Sequence, residues 1–173
     1  MEELVKEGLV KNIGMSNIGT SLLRDVLSYA KVKPTVLQVE LHPFNTQEKL
    51  VRFCREKGIA VTAFSSLGGP SYIEHGLANE DEVVLKSPVV TDIAKKYGKS
   101  PAQVLLRWGI QRGTAVIPKS AKVERLQENI AIFDFNLLNS EMDSITGLNK
   151  NKRFADITPI LESAFGTFYP IYE

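Results

Sequence analysis

Short, β-branched apolar runs that alternate with helix-periodic segments predict an α/β fold, with a parallel sheet covered by helices. The runs are residues 9–15, 35–41, 59–64 and 115–117, and turn residues follow each of them. That order is compatible with a barrel or with an open doubly wound sheet. Between the first two runs, Leu22, Leu23, Val26, Leu27 and Ala30 recur at helical spacing. Leu50, Val51, Phe53 and Cys54 mark the next helix, with Asn45 and Glu48 as its expected cap and Gly58 as its stop. Ser87-Pro88 opens another helix and Gly98 closes it. In Ser100-Pro101-Ala102-Gln103 a hydroxyl cap, a proline at the first helical position and a Gln three residues on coincide. The apolar positions Val104, Leu105, Trp108 and Gly109 follow. Ser140 with Asp143 repeats the cap pattern near the end of the chain.

The composition is that of an ordinary globular domain. Of 173 residues, 43% are hydrophobic and 24% charged, which excludes collagen, coiled coil and wholesale disorder. Twenty-one Lys and Arg against 20 Asp and Glu leave a net charge of +1, so no global field gathers nucleic acid or an acidic membrane. Any anion site must be local. The single cysteine, Cys54, sits on an apolar helical face and is read as core; with no disulfide partner it points to a reducing, cytoplasmic setting. The acidic start and the lack of a long apolar run give no sign of a secretory leader or membrane span. The weakly patterned stretch 67–86 is too long for a plain connection and is read as a functional or mobile loop. The aromatic tail from residue 154 is expected to pack over one end of the fold.

In parallel α/β folds ligands meet the C-terminal ends of the strands. Four such ends are polar here. They carry Ser16-Asn17, Gln38, Phe64-Ser65-Ser66-Leu67-Gly68 and Pro118-Lys119-Ser120. Ser, Asn and Gln together satisfy both the donors and the acceptor of a carboxamide, and Phe64 offers a flat apolar face to an aromatic ring. Gln38 is costly inside an apolar strand unless it finds partners. Lys119, Ser120 and Arg125, followed by Glu128 and Asn129, mark a strand end running into a helix start, where backbone N–H groups and two cations suit an anion. His42, before Pro43, is read as a structural turn residue, and His75 beside Glu74 lacks metal or nucleophile spacing. The sequence has no zinc pattern, nucleophile elbow, glycine phosphate loop or heptad.

Four segments, in order, resemble motifs of the aldo-keto reductases. They are Gly8-Leu9-Val10-Lys11-Asn12-Ile13-Gly14-Met15-Ser16-Asn17, Leu37-Gln38-Val39-Glu40-Leu41-His42-Pro43, Thr62-Ala63-Phe64-Ser65-Ser66-Leu67-Gly68 and Ile117-Pro118-Lys119-Ser120. The Leu-Gln and Ser-Ser pairs look most like the xylose and aldose reductase branch. The resemblance implies a (β/α)8 barrel that reduces small carbonyl compounds with NADPH, and residues 1–173 would be its C-terminal half, with about four strands. It implies that Ser16, Asn17 and Gln38 hold the nicotinamide carboxamide, with Phe64 where the family usually stacks a tyrosine. It further implies pyrophosphate contacts at Ser65 and Leu67, a 2′-phosphate clamp of Lys119, Ser120 and Arg125, and adenine contacts at Glu128 and Asn129.

The family's catalytic tyrosine, lysine, aspartate and histidine come from the other half of the barrel, so no catalytic residue is assigned here, and His42, Tyr72 and Lys86 are not promoted into those roles. Loss of the acid that protonates the carbonyl oxygen costs about 10²–10⁴ in rate. Two other readings stand beside this one: a non-catalytic NADPH-binding sensor or interaction protein, possibly a homodimer, and an unrelated phosphate-binding domain.

Overall fold

The computed structural model describes residues 1–73, 76–156 and 158–168; His75 lies outside them. After a short opening helix, α1 (Glu2–Lys6), the chain alternates as the sequence predicts. Its order is β1 (Gly14–Ser16), α2 (Thr20–Tyr29), β2 (Val36–Glu40), α3 (Glu48–Glu56), β3 (Ala60–Phe64), α4 (Pro70–Ile73), α5 (Pro88–Tyr97), α6 (Pro101–Gln111), β4 (Thr114–Val116), α7 (Val123–Ile130), α8 (Asn139–Thr146) and α9 (Thr158–Phe165). The strands form one parallel sheet in sequence order, β1-β2-β3-β4. Four parallel strands alternating with helices make an arc of the (β/α)8 type.

The two faces of this sheet differ in chemistry. Leu37, Val39, Val61, Ala63 and Thr114 point to one side and are buried in a core with Leu23 of α2, Leu50, Val51 and Cys54 of α3, and Val104, Leu105 and Trp108 of α6. Each fully buried Leu or Val there contributes about 1.5–3 kcal/mol over its exposed state. Gly109 lets α6 approach β4, because a Cβ at that position would stand 2.7 Å from Val116 Cγ1. On the opposite face Ser16, Gln38 and Ala115 are exposed and Thr62 and Phe64 half-buried, while Glu40, at the end of β2, is buried. Gln38 therefore needs no buried partner, and the cost expected for it does not arise.

The helix boundaries follow local chemistry with three exceptions. Ser100 Oγ accepts from Gln103 N–H at 3.3 Å while Gln103 Oε1 accepts from Ser100 N–H at 3.0 Å, the reciprocal box that the sequence predicts. Gly58 and Gly98 adopt positive φ of 68° and 60° beyond the ends of α3 and α5. Asn45 does not cap α3; its backbone pairs with His42, and Gln47 at φ 48° precedes the helix instead. Ser140 lies inside α8, where Glu141 accepts from Leu138 N–H at 2.8 Å. Ser120 does not cap α7, which begins three residues later; it accepts from Lys122 N–H at 3.1 Å in a local turn. In each case a competing local hydrogen bond has taken the capping oxygen or moved the boundary.

One further expectation is revised. Only the end of the run 9–15 is strand, and Leu9 is exposed. Within the stretch 67–86 the described residues form α4 and two short 3₁₀ turns, Glu80–Glu82 and Val84–Lys86, and Val84 lies in the core. The close packing uses glycine: a Cβ on Gly68, at φ 69°, would lie 2.8 Å from Val84 Cγ1.

Candidate functional site

The residues singled out at the strand ends separate into two neighbouring groups. Ser65, Leu67, Lys119, Ser120, Arg125, Glu128 and Asn129 line one cleft of about 680 Å³. One wall is the β3 exit and the head of loop 67–86, and the other is the β4 exit with α7. The N-terminal turn of α6, with Ser100, Pro101 and Ala102, completes the lining. A cleft of this size lies in the ordinary range for small-molecule and cofactor sites.

One side chain fixes the relation between these walls. Gln103, buried in the first turn of α6, accepts from Ser100 N–H through Oε1 and donates through Nε2 to the carbonyls of Glu128 and Ala131 at 3.1 and 2.9 Å. The same amide thus starts α6 and ties down the end of α7, the helix that carries Arg125, Glu128 and Asn129. Lys119 and Arg125 are exposed, and no ion pair among the described residues holds either of them. Two cations outside any ion pair among the described residues, beside a hydroxyl, form an anion-seeking surface, even with Glu128 in the same lining.

Ser16, Asn17, Gln38 and Phe64 are not in that cleft. Ser16 stands opposite Gln38 in the β1–β2 ladder, and Phe64 opposite Glu40 in the β2–β3 ladder. They form a row across the strand ends beside the cleft. Asn17 takes a positive φ of 55°, donates its N–H to Gln38 O at 3.0 Å, and buries an Oδ1 that has no partner among the described residues. Such an oxygen is costly to leave unmatched and fits an external N–H donor. Ser65, also at positive φ, lies with its Oγ 2.6 Å from the Tyr72 hydroxyl.

Sequence reasoning set Ser66, Gly68, Ile117 and Pro118 in the strand-end segments without giving them a role, and passed over Pro70, Leu85, Ser100, Pro101 and Ala102 as lining residues. Adjacency in sequence to Ser65 and Lys119 was available for several of them; Leu85 and Ser100 reach the cleft only through the fold. Glu40 was also missed. It is fully buried at the end of β2, and its carboxylate accepts from Phe154 N–H, Ala155 N–H and His42 Nε2. Burial would push this carboxyl up, but the hydrogen bonds from His42 and the two backbone N–H groups outweigh it and hold the group below its ordinary value of 4.5. Cys54 is buried, as expected, and burial raises its thiol. No metal-binding cluster and no helix able to cross a membrane occurs among the described residues.

Comparison with known proteins bears on this geometry. The sequence model of the Aldo/keto reductase family matches residues 1–150. The chain is 46% identical over 180 residues to a probable NAD(P)H-dependent D-xylose reductase of Aspergillus clavatus, covering 99% of this chain and 54% of that protein. A protein of the same description from Emericella nidulans is 48% identical over 158 residues, covering 90% of this chain and 50% of its own length. Among solved structures, the aldose reductase from Schistosoma japonicum superposes with a TM-score of 0.81 at 37% identity, over 97% of this chain and 50% of that one. The chain spans about half the length of the relatives it matches. With the parallel strand–helix alternation and the match over residues 1–150, this chain belongs to the aldo/keto reductase family.

Proposed function

We propose that the chain is the cofactor-binding half of an NADPH-dependent reductase of small carbonyl compounds, aldoses or aldehydes, resembling the xylose and aldose reductases, and that residues 1–173 act as one partial domain. The observation that carries this reading is the gathering of Lys119, Ser120, Arg125, Glu128 and Asn129 in one cleft with Ser65 and Leu67. Lys119, Ser120 and Arg125 would hold the 2′-phosphate by charge-assisted hydrogen bonds. Glu128 and Asn129 would meet the adenine, and Ser65 and Leu67 the pyrophosphate.

The nicotinamide end falls to the row across the strand ends. The unmatched Asn17 Oδ1 suits the N–H of a carboxamide, Ser16 and Gln38 add a hydroxyl and a second amide, and Phe64 presents its ring face. When bound, the dinucleotide would supply hydride to the carbonyl carbon. This chain's residues would orient the ring, Phe64 by its face and Ser16, Asn17 and Gln38 by hydrogen bonds to the carboxamide. The proton for the carbonyl oxygen is assigned to no residue here, so turnover by the chain alone is expected to fall by about 10²–10⁴ or more relative to a protein carrying the general acid.

The test is the affinity for NADPH and NADH of Lys119→Ala/Arg125→Ala. NADPH is expected to weaken by about 30-fold or more and NADH hardly at all, as loss of two charged hydrogen bonds requires. Equal loss for both cofactors overturns the phosphate clamp. A second reading, a cofactor-binding homodimer without turnover, is favoured by one observation: β1 and β4 are outer strands of the sheet. Light scattering separates the two, since that reading requires twice the mass of the chain.

A further inference from the structure

We propose that Glu40 is a positioning residue: its buried carboxylate latches residues 149–155 across the strand ends and, through Phe154 and Tyr72, holds Ser65 at the mouth of the cleft. The link to cofactor rests on the function proposed above; the latch itself does not. Glu40 has the parity of Gln38, two residues earlier on the same strand. Gln38 is exposed and Glu40 is 0% exposed. The difference is the chain that lies over it. Phe154 N–H donates to Oε1 at 2.7 Å and Ala155 N–H to Oε2 at 3.0 Å, while His42 Nε2 lies 2.9 Å from Oε1.

Residues 149–155 have no helix or strand of their own, so their path is set by these bonds and their neighbours. Thr46 N–H donates to Asn149 Oδ1, and Lys150 and Lys152 N–H both donate to Phe44 O. On the other side Lys152 pairs with Glu82 at 2.9 Å, which ties the strap to loop 67–86. The strap therefore bridges the exit of β2 and the loop that forms one wall of the cleft. A buried carboxylate is costly without partners, so it strongly favours the docked strap.

The relay to Ser65 is a series of contacts. The Phe154 ring lies 5.5 Å from that of Tyr72 at an interplanar angle of 17°, and 5.1 Å from the His42 ring. The Tyr72 hydroxyl is 2.6 Å from Ser65 Oγ. Ser65 is held at positive φ, and its carbonyl accepts from Gly68 N–H at 2.8 Å, closing the turn that opens the cleft wall. A non-glycine residue in the left-handed region persists only when its surroundings over-determine it.

The test is amide hydrogen exchange on the cofactor-free chain, which reads the latch whether or not NADPH binds. In Glu40→Gln, exchange at Phe154 and Ala155 is expected to rise at least about tenfold, the loss of a charged acceptor, and exchange at Gly68 is expected to rise with it. Unchanged exchange at Phe154 and Ala155 overturns the latch. A rise confined to those two amides overturns the relay. Phe154→Leu keeps the backbone donors and removes the ring, so it is expected to free Gly68 while leaving Ala155 protected; both protected would equally overturn the relay. In NADPH titrations, Tyr72→Phe should weaken binding in the parent chain and add little in the Glu40→Gln background, and additive losses overturn the shared path. If the parent chain binds no NADPH, the cofactor reading fails while the exchange result still decides the latch.

Discussion

Two polar regions sit side by side at the C-terminal end of the sheet, and they treat charge in opposite ways. At the cleft, Lys119 and Arg125 stand exposed without an ion-pair partner among the described residues. At the strap, Glu40 is sealed from solvent and its oxygens are taken up by three donors. A charge already matched inside the protein stabilises it and has little left to offer a ligand. An unmatched charge at a cleft contributes little to the fold and is available to one.

The contrast makes graded predictions. Glu40→Leu should destabilise most, by about 3 kcal/mol, because it strands two backbone N–H groups; Tm should fall by about 10 °C in a thermal melt. An unchanged Tm would mean that the strap finds other partners. Gly68→Ala should cost about 1–2 kcal/mol, since it adds a side chain at positive φ against Val84, and denaturant titration should show it at unchanged m.

The pH dependence is smaller and has a definite sign. Glu40 is held below its ordinary value, and so is Glu141, where burial is outweighed by bonds from Lys96, Leu138 N–H and Tyr97. A carboxyl lowered in the folded state contributes stability that is complete above its unfolded value of 4.5 and is lost as pH falls through the folded value. Stability should therefore decline below about pH 4.5, and Glu40→Gln should flatten part of that decline in acid titrations followed by circular dichroism. The smallest effect belongs to the cleft: Lys119→Ala/Arg125→Ala should leave Tm within about 2 °C, as surface substitutions do. A large loss of Tm there would abolish the contrast.

Legibility followed the range of the interaction. The four strands and the Ser100–Gln103 box were readable because each strand falls within or overlaps an apolar run and the box closes within one helical turn. The same reach misplaced Asn45 and Ser140, where several oxygens near a helix start competed and local hydrogen bonds decided among them. The Lys119 to Asn129 cluster was visible because a strand end and the next helix supply all of it. Gln38 and Glu40 look alike in the sequence, two polar residues in one apolar strand. What separates them is a strap far along the chain, and no local pattern encodes that.

The same strap has a consequence for biosynthesis. Glu40 and Phe154 are 114 residues apart, so at ordinary elongation rates of about 5–20 residues per second the carboxylate is made roughly ten seconds before its backbone donors exist. Through that interval the acid at the end of β2 has only His42, two residues on, and solvent to satisfy it. The nascent sheet thus keeps a charged gatekeeper at the end of a strand otherwise prone to non-native pairing, and the charge is withdrawn from solvent only when the strap arrives to cover it.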